Sequence, residues 1–146
     1  MSVIPDRIFI NDTDRALYEK IENEVLFKEK TRKEQFLFAM AFGFKNKVKY
    51  PLAKREGFFL TKDLRPEDEA LLNVVAIEDS PNSVEILSDM NEVFKTAEEY
   101  AHAGIKLLVD KIETIATGTF EKQFEQELHE AYSVNMSEDD EKNTSR

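Results

Sequence analysis

The sequence has no cysteine, and it contains only four glycines and four prolines among its 146 residues. Without cysteine the chain can form no disulfide, no thiolate nucleophile and no thiolate zinc site, which excludes a disulfide-stapled secreted scaffold. With so few glycines it also lacks a Gly-rich phosphate loop, and neither a P-loop nor a nucleophile elbow occurs in it. We therefore expect a protein that is not an enzyme and that uses no cofactor.

Long apolar runs are missing as well. The longest reach about eight residues, whereas a helix needs roughly 20 apolar residues to span a bilayer. The N-terminal segment MSVIPDRIFIND also has no basic region followed by an apolar one, which a secretory signal would have. We therefore expect neither export nor membrane insertion, which predicts a cytoplasmic protein.

The residues that are present suffice for one domain. Hydrophobic residues make up 41 % of the chain, and the eleven phenylalanines among them allow one sizeable core. We predict a single mainly α domain over residues 1–136. Residues 137–146, SEDDEKNTSR, contain no apolar side chain and are predicted to form a disordered acidic tail.

The segment TRKEQFLFAMAFGF, which begins at Thr31, has the clearest helical signature. Thr31 and Glu34 have the spacing of a capping box, in which each side chain accepts a hydrogen bond from the other residue's amide. Every position from Phe36 to Phe42 is apolar, which leaves no solvent face over two turns. This pattern predicts a buried central helix that ends at Gly43.

About five helices and one small hairpin are predicted in total. Helical spacing indicates further helices over about Asp14–Phe27, from Pro66 to Ile77, over about Met90–Ala116 and beyond Gly118. The segment from Ala70 to Ile77 is nearly all apolar, so its helix is predicted to be a second buried one. A close helix crossing is expected at Gly104. The predicted core includes Phe38, Phe42, Leu72, Val75 and Leu108.

Period-two alternation predicts the strands. Residues 7–10 could form a short first strand. After the second helix, the segment KNKVKYPL (45–52) alternates lysines with other residues and reads as an edge strand. Residues 58–60 would return as its partner, which gives a small β-hairpin after the second helix.

The last predicted helix has one apolar stripe. Its members are Phe120, Phe124, Leu128 and Tyr132, and the other face carries Glu, Lys and Gln. A detached helix of this length is marginal in water, so the stripe either packs back on the domain or docks on a partner. These four residues are the candidate partner-binding residues.

The net charge of −10 is unevenly distributed along the chain. Between Lys28 and Arg55 nine basic residues stand against two glutamates, a balance of +7 that leaves −17 for the rest. Clustered basic charge is what phosphate binding requires, so this basic segment is a candidate nucleic-acid surface. Its candidate residues are Arg32, Lys33, Lys45, Lys47, Lys49, Lys54 and Arg55. The alternative is that they pair with the acidic remainder of the same chain or of a second copy.

The long predicted helix contains one motif of metal-ligating residue types. Glu99 and His102 form an E-x-x-H motif, and Glu98 lies one turn before the same histidine. Di-iron carboxylate bundles need two such motifs and two more glutamates on facing helices. The other histidine, His129, has Gln126 where a second motif requires glutamate. We therefore predict no metal site.

Three segments together resemble a known family. FKEKTRKEQFLFAMAFGFKNKVKYPL (27–52), LLNVVAIED (71–79) and EEYAHAGIKLLVDKIE (98–113) are similar in order and spacing to small proteins described as dnd-system-associated. The genes of this family accompany those for DNA phosphorothioate modification and the restriction linked to it. The resemblance implies a role in a DNA-modification or defence system and implies no chemistry.

The most specific parts of this resemblance are the apolar helix followed by GFK around Gly43, and EEYAHAG around Tyr100 and Gly104. His102 stands where the family resemblance leads us to expect Asn, and Ala103 replaces a Gly. No catalytic residue is implied for any position. The partners implied are proteins of a DNA-modification and restriction system.

A second resemblance covers only residues 7–44, where a strand and two helices follow one another as in ribbon-helix-helix DNA binders. In such dimers Arg7 and Phe9 would share the exposed face of the paired strands. Two hypotheses therefore stand. The first is a non-enzymatic accessory protein of a DNA-modification or restriction system that acts through protein contacts. The second is a DNA-binding protein that uses the basic segment 28–55, for which a ribbon-helix-helix-like dimeric regulator is one form.

Overall fold

A computed structural model describes residues 4–24, 27–80, 84–114, 125 and 127–130. Its regular elements are, in chain order, β1 (Arg7–Asn11), α1 (Asp14–Glu22), α2 (Arg32–Lys45), β2 (Arg55–Leu60), α3 (Pro66–Asp79) and α4 (Met90–Thr114). Short 3-10 turns lie at Thr61–Asp63 and Val84–Ser88, and residues 127–130 are helical. The predicted mainly helical class with a small antiparallel pair of strands is confirmed.

Helix α2 is the central helix, as predicted. Its capping box is present, because the Thr31 hydroxyl accepts from the Glu34 amide at 3.2 Å and the Glu34 carboxylate accepts from the Thr31 amide at 2.9 Å. The buried residues of the helix are Gln35, Phe36, Leu37, Ala39, Met40, Ala41, Phe42 and Gly43. Helix α2 packs most extensively against α4.

Four of the five predicted core residues are buried. They are Phe42, Leu72, Val75 and Leu108. Phe38 is only half-buried, so its placement in the core was wrong. The Phe38 ring lies at the margin of the core and packs edge-on against the Phe27 ring, with 5.3 Å between the two centroids. The Lys30 ammonium lies 5.8 Å from the centroid of the Phe38 ring.

Helices α2 and α4 meet at two glycines. A Cβ on Gly104 would lie 1.7 Å from the carbonyl oxygen of Ala39, and a Cβ on Gly43 would lie 2.1 Å from that of Tyr100. The close crossing predicted at Gly104 is therefore present. The expectation that Gly43 ends α2 was wrong, because the helix continues to Lys45 and Gly43 serves the crossing.

Helix α2 ends instead in a Schellman motif. The Val48 amide donates to the Gly43 carbonyl and the Lys47 amide to the Phe44 carbonyl, both at 3.0 Å, which is the pair of bonds that defines this motif. Lys47 takes the left-handed position that glycine usually occupies, with a φ of 58°. A lysine at this position gives no sequence signal for the end of the helix.

The strand predicted over residues 45–52 is absent. Lys45 still belongs to α2, and the Val48 amide, which a strand would direct to a ladder, bonds the end of that helix. Farther along, the Tyr50 amide donates to the Glu99 carbonyl of α4 at 3.2 Å. The segment is therefore an irregular connection that contacts α2 and α4, and its alternating lysines do not mark a strand.

Strand β2 contains the predicted return strand, but it pairs with β1. The two strands are antiparallel, with Arg7 opposite Leu60 and Asn11 opposite Arg55. The short first strand predicted at residues 7–10 is thus confirmed, while its partner comes from beyond the second helix. The expected hairpin between residues 45–52 and 58–60 is therefore replaced by the pair β1–β2, and α1 and α2 lie between these two strands in the sequence.

The other helices differ from the prediction in extent and burial. Helix α1 ends at Glu22, five residues before the predicted end at residue 27. Helix α3 was expected to be buried, but only Leu72, Val75 and Ala76 of it are buried. Helix α4 extends over Met90–Thr114, and its predicted end at residue 116 lies outside the described residues.

Two predictions about the end of the chain concern residues that lie outside the described ones. The acidic tail at 137–146 falls outside the described residues, and the single-domain boundary at 136 stays a prediction. No helix in the described ranges combines the length and the apolar character needed to cross a membrane.

Candidate functional site

Arg32 and Lys33, at the start of α2, are both engaged by neighbouring elements. The Arg32 guanidinium donates to the Phe58 carbonyl at 3.2 Å and lies 5.2 Å from the centre of the Phe58 ring. The Lys33 ammonium is 2.8 Å from the carboxylate of Asp68, in the first turn of α3. These two cations therefore hold α2 against β2 and α3.

The three lysines after the centre of α2 do not form the predicted row on one strand face. Lys45 is the last residue of the helix and lies 3.4 Å from Glu130. Lys47 takes the left-handed position, and Lys49 is 2.8 Å from Asp79 at the end of α3. Because helix end, turn and extended connection follow one another here, the regular spacing of a strand is lost.

The last two candidates lie at the start of β2. Lys54 directly precedes the strand, and Arg55 is its first residue. The Lys54 ammonium lies 4.0 Å from Asp12 and its side chain is 80 % exposed. The Arg55 guanidinium lies 2.9 Å from Glu98 and stacks on the ring of Phe9, 4.3 Å from its centroid. Five of the seven candidate residues thus lie within 4.0 Å of a carboxylate of the same chain. This pairing favours the alternative in which the basic segment meets the acidic remainder of its own chain.

Glu98 is the buried centre of the contact between the sheet and α4. Its side chain is 2 % exposed, and one carboxylate oxygen accepts from the Phe9 amide at 3.0 Å while the other accepts from Arg55. Burial raises the pKa of Glu98, and the bonds from Phe9 and Arg55 oppose that rise. Glu98 therefore supplies the hydrogen-bond acceptor for the Phe9 amide of β1.

This contact bears on the ribbon-helix-helix hypothesis. In that fold β1 would pair with β1 of a second copy, and Arg7 and Phe9 would face the DNA groove. Here β1 pairs with β2 of the same chain, the Phe9 amide donates to Glu98, and Arg55 covers the Phe9 ring. A strand from a second copy would have to displace these contacts.

A second buried polar cluster, which sequence reasoning missed, joins α1 to α4. Asp14 is fully buried at the start of α1. Its carboxylate lies 2.5 Å from His102 Nδ1 and 3.0 Å from Lys106 Nζ. The spacing of 88 residues between Asp14 and His102 leaves no pattern from which the pair could be found. Among the described ranges no group of three or more His, Cys, Asp or Glu side chains is placed to hold a metal ion.

A cleft of about 650 Å³ lies between the first turns of α2 and α3 and the end of β2. Its charged lining residues are Arg32, Lys33, Glu34, Asp63, Arg65, Glu67 and Asp68. Charges of both signs are mixed, and Lys33 is bound to Asp68. The cleft therefore favours neither an anion nor a cation.

The candidate partner-binding stripe is described only at Leu128. Leu128 is 5 % exposed and belongs to the core. Its neighbours Glu127 and Glu130 lie 2.7 Å from Lys111 and 3.4 Å from Lys45. At this point the helix packs back on the chain, the first of the two alternatives. Phe120, Phe124 and Tyr132 lie outside the described residues, so their role stays a prediction.

Comparison with known proteins adds one finding. A family model described as DNA sulphur modification system-associated protein 4 matches residues 11–146. No match was found among the curated proteins or among the solved structures.

Proposed function

The chain belongs to the family of DNA sulphur modification system-associated protein 4, and from this premise we propose that it is a non-enzymatic accessory protein that acts through contacts with protein subunits of such a system. The family match confirms the resemblance to dnd-system-associated proteins that residues 27–113 carry. The match associates the chain with the DNA sulphur modification system. Action through protein contacts is our proposal.

The observation that supports protein contacts over DNA contacts is the pairing of the basic segment. Lys33, Lys45, Lys49, Lys54 and Arg55 each lie beside a carboxylate of the same chain. A phosphate would have to compete with these carboxylates, and the net charge of −10 repels DNA at distances within the Debye length, about 8 Å at physiological salt. Partners are therefore expected to be proteins of the modification and restriction system.

Co-expression tests the proposal. The tagged chain is produced together with the modification and restriction subunits encoded beside it, and the subunits that co-purify are identified and quantified. We expect at least one subunit in a fixed ratio to the tagged chain at 150 mM salt. Recovery of the chain with none of these subunits would contradict the proposal.

Direct DNA binding is the competing hypothesis and has its own test. Labelled duplex is titrated at several low salt concentrations with the wild type and with a variant in which Lys45, Lys47 and Lys49 are changed to Ala. Under our proposal the two proteins have equal affinity or none. If the three lysines contact phosphates, the log–log salt slope falls by about one for each lysine removed. A slope lowered by about three units would support a DNA-binding protein instead.

A further inference from the structure

Helix α3 has an apolar face that the described structure leaves uncovered. Its sequence is apolar at nearly every position from Ala70 to Ile77, a pattern that normally belongs to a helix buried all round. Leu72, Val75 and Ala76 are its buried residues, and the partly buried Leu71 packs against the core. Ala70 and Val74 are exposed, and Ile77 is half-buried without joining the core cluster.

The two exposed residues and the half-buried Ile77 form one line along the helix. Ala70, Val74 and Ile77, which we name the α3 stripe, have the i, i+4, i+7 spacing of residues on one helical face. They extend over about 10 Å of the helix axis at the usual rise per residue. This spacing is the one by which a helix inserts its apolar face into a groove of a partner protein.

Helix α3 is fixed at both ends by residues on its inner face. Asp68, in its first turn, lies 2.8 Å from Lys33 of α2. Asp79, its last residue, accepts from the Tyr100 hydroxyl at 2.7 Å and lies 2.8 Å from Lys49. The α3 stripe is therefore presented on a helix whose position is set by contacts on the opposite side.

The charges at the ends of the stripe decide between two kinds of partner. Exposed Glu67 precedes the stripe and exposed Glu78 follows it. If two copies packed their α3 helices together, parallel or antiparallel, the glutamates of one copy would face those of the other, which is unfavourable. A second copy is therefore a poor occupant, whereas a groove with Lys or Arg at both ends would be complementary.

We propose that the α3 stripe docks in an apolar groove, bounded by basic residues, on a protein subunit of the DNA sulphur modification system. This inference rests on the function proposed above, because it takes the partner to be one of those subunits. It adds the surface that makes the contact and the chemistry of the surface that receives it. Glu67 and Glu78 contact the basic residues, and Val74 is the central apolar anchor.

The test compares two substitutions that add the same charge at equally exposed apolar residues. Val74→Glu changes the middle of the stripe, and Leu60→Glu changes the end of β2, where the side chain is also 36 % exposed. Each variant is co-expressed with the neighbouring modification and restriction subunits, and the retained subunit is quantified. We expect Val74→Glu to reduce retention by about tenfold or more, as for a central interface residue, and Leu60→Glu to leave it unchanged. A Glu67→Lys, Glu78→Lys double variant is expected to reduce retention as well.

Four other outcomes would overturn the inference, and each has its own signature. If the wild type and Val74→Glu retain the same subunit equally, the α3 stripe is not the docking surface, while the proposed function stands. If the wild type retains no subunit, both fail. Thermal denaturation and sedimentation of the isolated chains complete the set: a melting temperature lowered by Val74→Glu and not by Leu60→Glu would show that the chain covers its own stripe. A dimer that Val74→Glu dissociates would show that a second copy covers it.

Discussion

Tyr18 packs its ring against that of Phe58, with the centroids 4.6 Å apart, and only 2 % of the residue is exposed. Among the described residues no group forms a hydrogen bond with its hydroxyl. Burial, and secondly the charge of Asp14, raise the pKa of Tyr18 well above its ordinary value. The ring therefore contributes to the core while its polar group costs free energy.

Tyr18→Phe is expected to raise the free energy of unfolding by about 1 kcal/mol, because it removes a buried unpaired hydroxyl and keeps the ring. Tyr100→Phe is the matched control. The Tyr100 hydroxyl donates to Asp79 at 2.7 Å, so its removal is expected to lower the free energy of unfolding by about 1 kcal/mol. Urea denaturation at pH 7 measures both changes. Equal losses for the two variants would show that the Tyr18 hydroxyl has a partner.

Lys47 is the second residue whose conformation can be tested. Its φ of 58° is costly for a residue with a Cβ. Lys47→Gly is therefore expected to raise the free energy of unfolding by roughly 0.5–1 kcal/mol in urea denaturation. Asn46→Gly, one residue earlier, should lower it, because Asn46 has helical φ and its side-chain amide donates to the Phe42 carbonyl at 2.8 Å. A loss of stability on Lys47→Gly would mean that the left-handed conformation is not present in solution.

At the scale of elements, the most extensive contact joins α2 and α4. Both helices place a glycine at the crossing, and the backbone of each lies where a Cβ of the other would be. Glycine inside a helix costs up to about 1 kcal/mol relative to alanine. The close approach offsets that cost, since it brings large side chains on both flanks into contact.

Gly104→Ala is expected to lower the free energy of unfolding by at least about 2 kcal/mol, despite the better helix propensity of alanine. The reason is that the added Cβ would lie 1.7 Å from a backbone carbonyl oxygen of Ala39, which cannot move without moving α2. Gly57→Ala is the control, because its Cβ would meet only the flexible side chain of Arg7, at 3.1 Å. Thermal denaturation followed by circular dichroism distinguishes them. A Gly104→Ala variant as stable as Gly57→Ala would refute the close crossing.

At the scale of the whole molecule, charge pairs link segments that are distant in the chain. Glu98 of α4 binds the Phe9 amide of β1 and the Arg55 guanidinium of β2, so one buried carboxylate joins the sheet to the longest described helix. Asp14 joins α1 to the same helix through His102 and Lys106. Five residues of the basic segment likewise meet carboxylates that lie elsewhere in the chain.

Arg55→Ala is expected to lower the free energy of unfolding by about 2 kcal/mol at pH 7, because it leaves the carboxylate of Glu98 buried with one charged partner fewer. Lys20→Ala is the control, since the Lys20–Glu113 pair is more than half exposed on both sides and should contribute less than about 0.5 kcal/mol. Urea denaturation measures both losses. Equal small losses would show that Arg55 is not needed to compensate Glu98.

The pH dependence of the Arg55→Ala effect follows from the raised pKa of Glu98. A carboxyl whose pKa is higher in the folded state than its ordinary value of 4.5 binds a proton more tightly when folded, so it favours folding at low pH. That stability is lost as the pH rises through the folded-state pKa, and removal of Arg55 raises this pKa further. The loss caused by Arg55→Ala should therefore be largest at neutral pH and smallest below pH 4.5.

The sequence by itself determined the features that depend on residues a few positions apart. Residue spacing predicted the capping box of Thr31 and Glu34, the start of α3 at Pro66, the apolar run of α2 and the helical class. These features depend on backbone hydrogen bonds and side chains within about one helical turn of each other. Family membership belongs to the same level, since it rests on the order of residues.

Only the tertiary structure decided the features that depend on distant contacts. It paired β2 with β1 instead of with residues 45–52, gave Gly43 to a helix crossing, and matched the basic segment with carboxylates of its own chain. Within the described residues it also leaves one face of α3 uncovered, although the helix is apolar at nearly every position from Ala70 to Ile77. The physical reason is that each of these contacts joins residues tens of positions apart, and the spacing of residues along a chain carries no signal for such pairs.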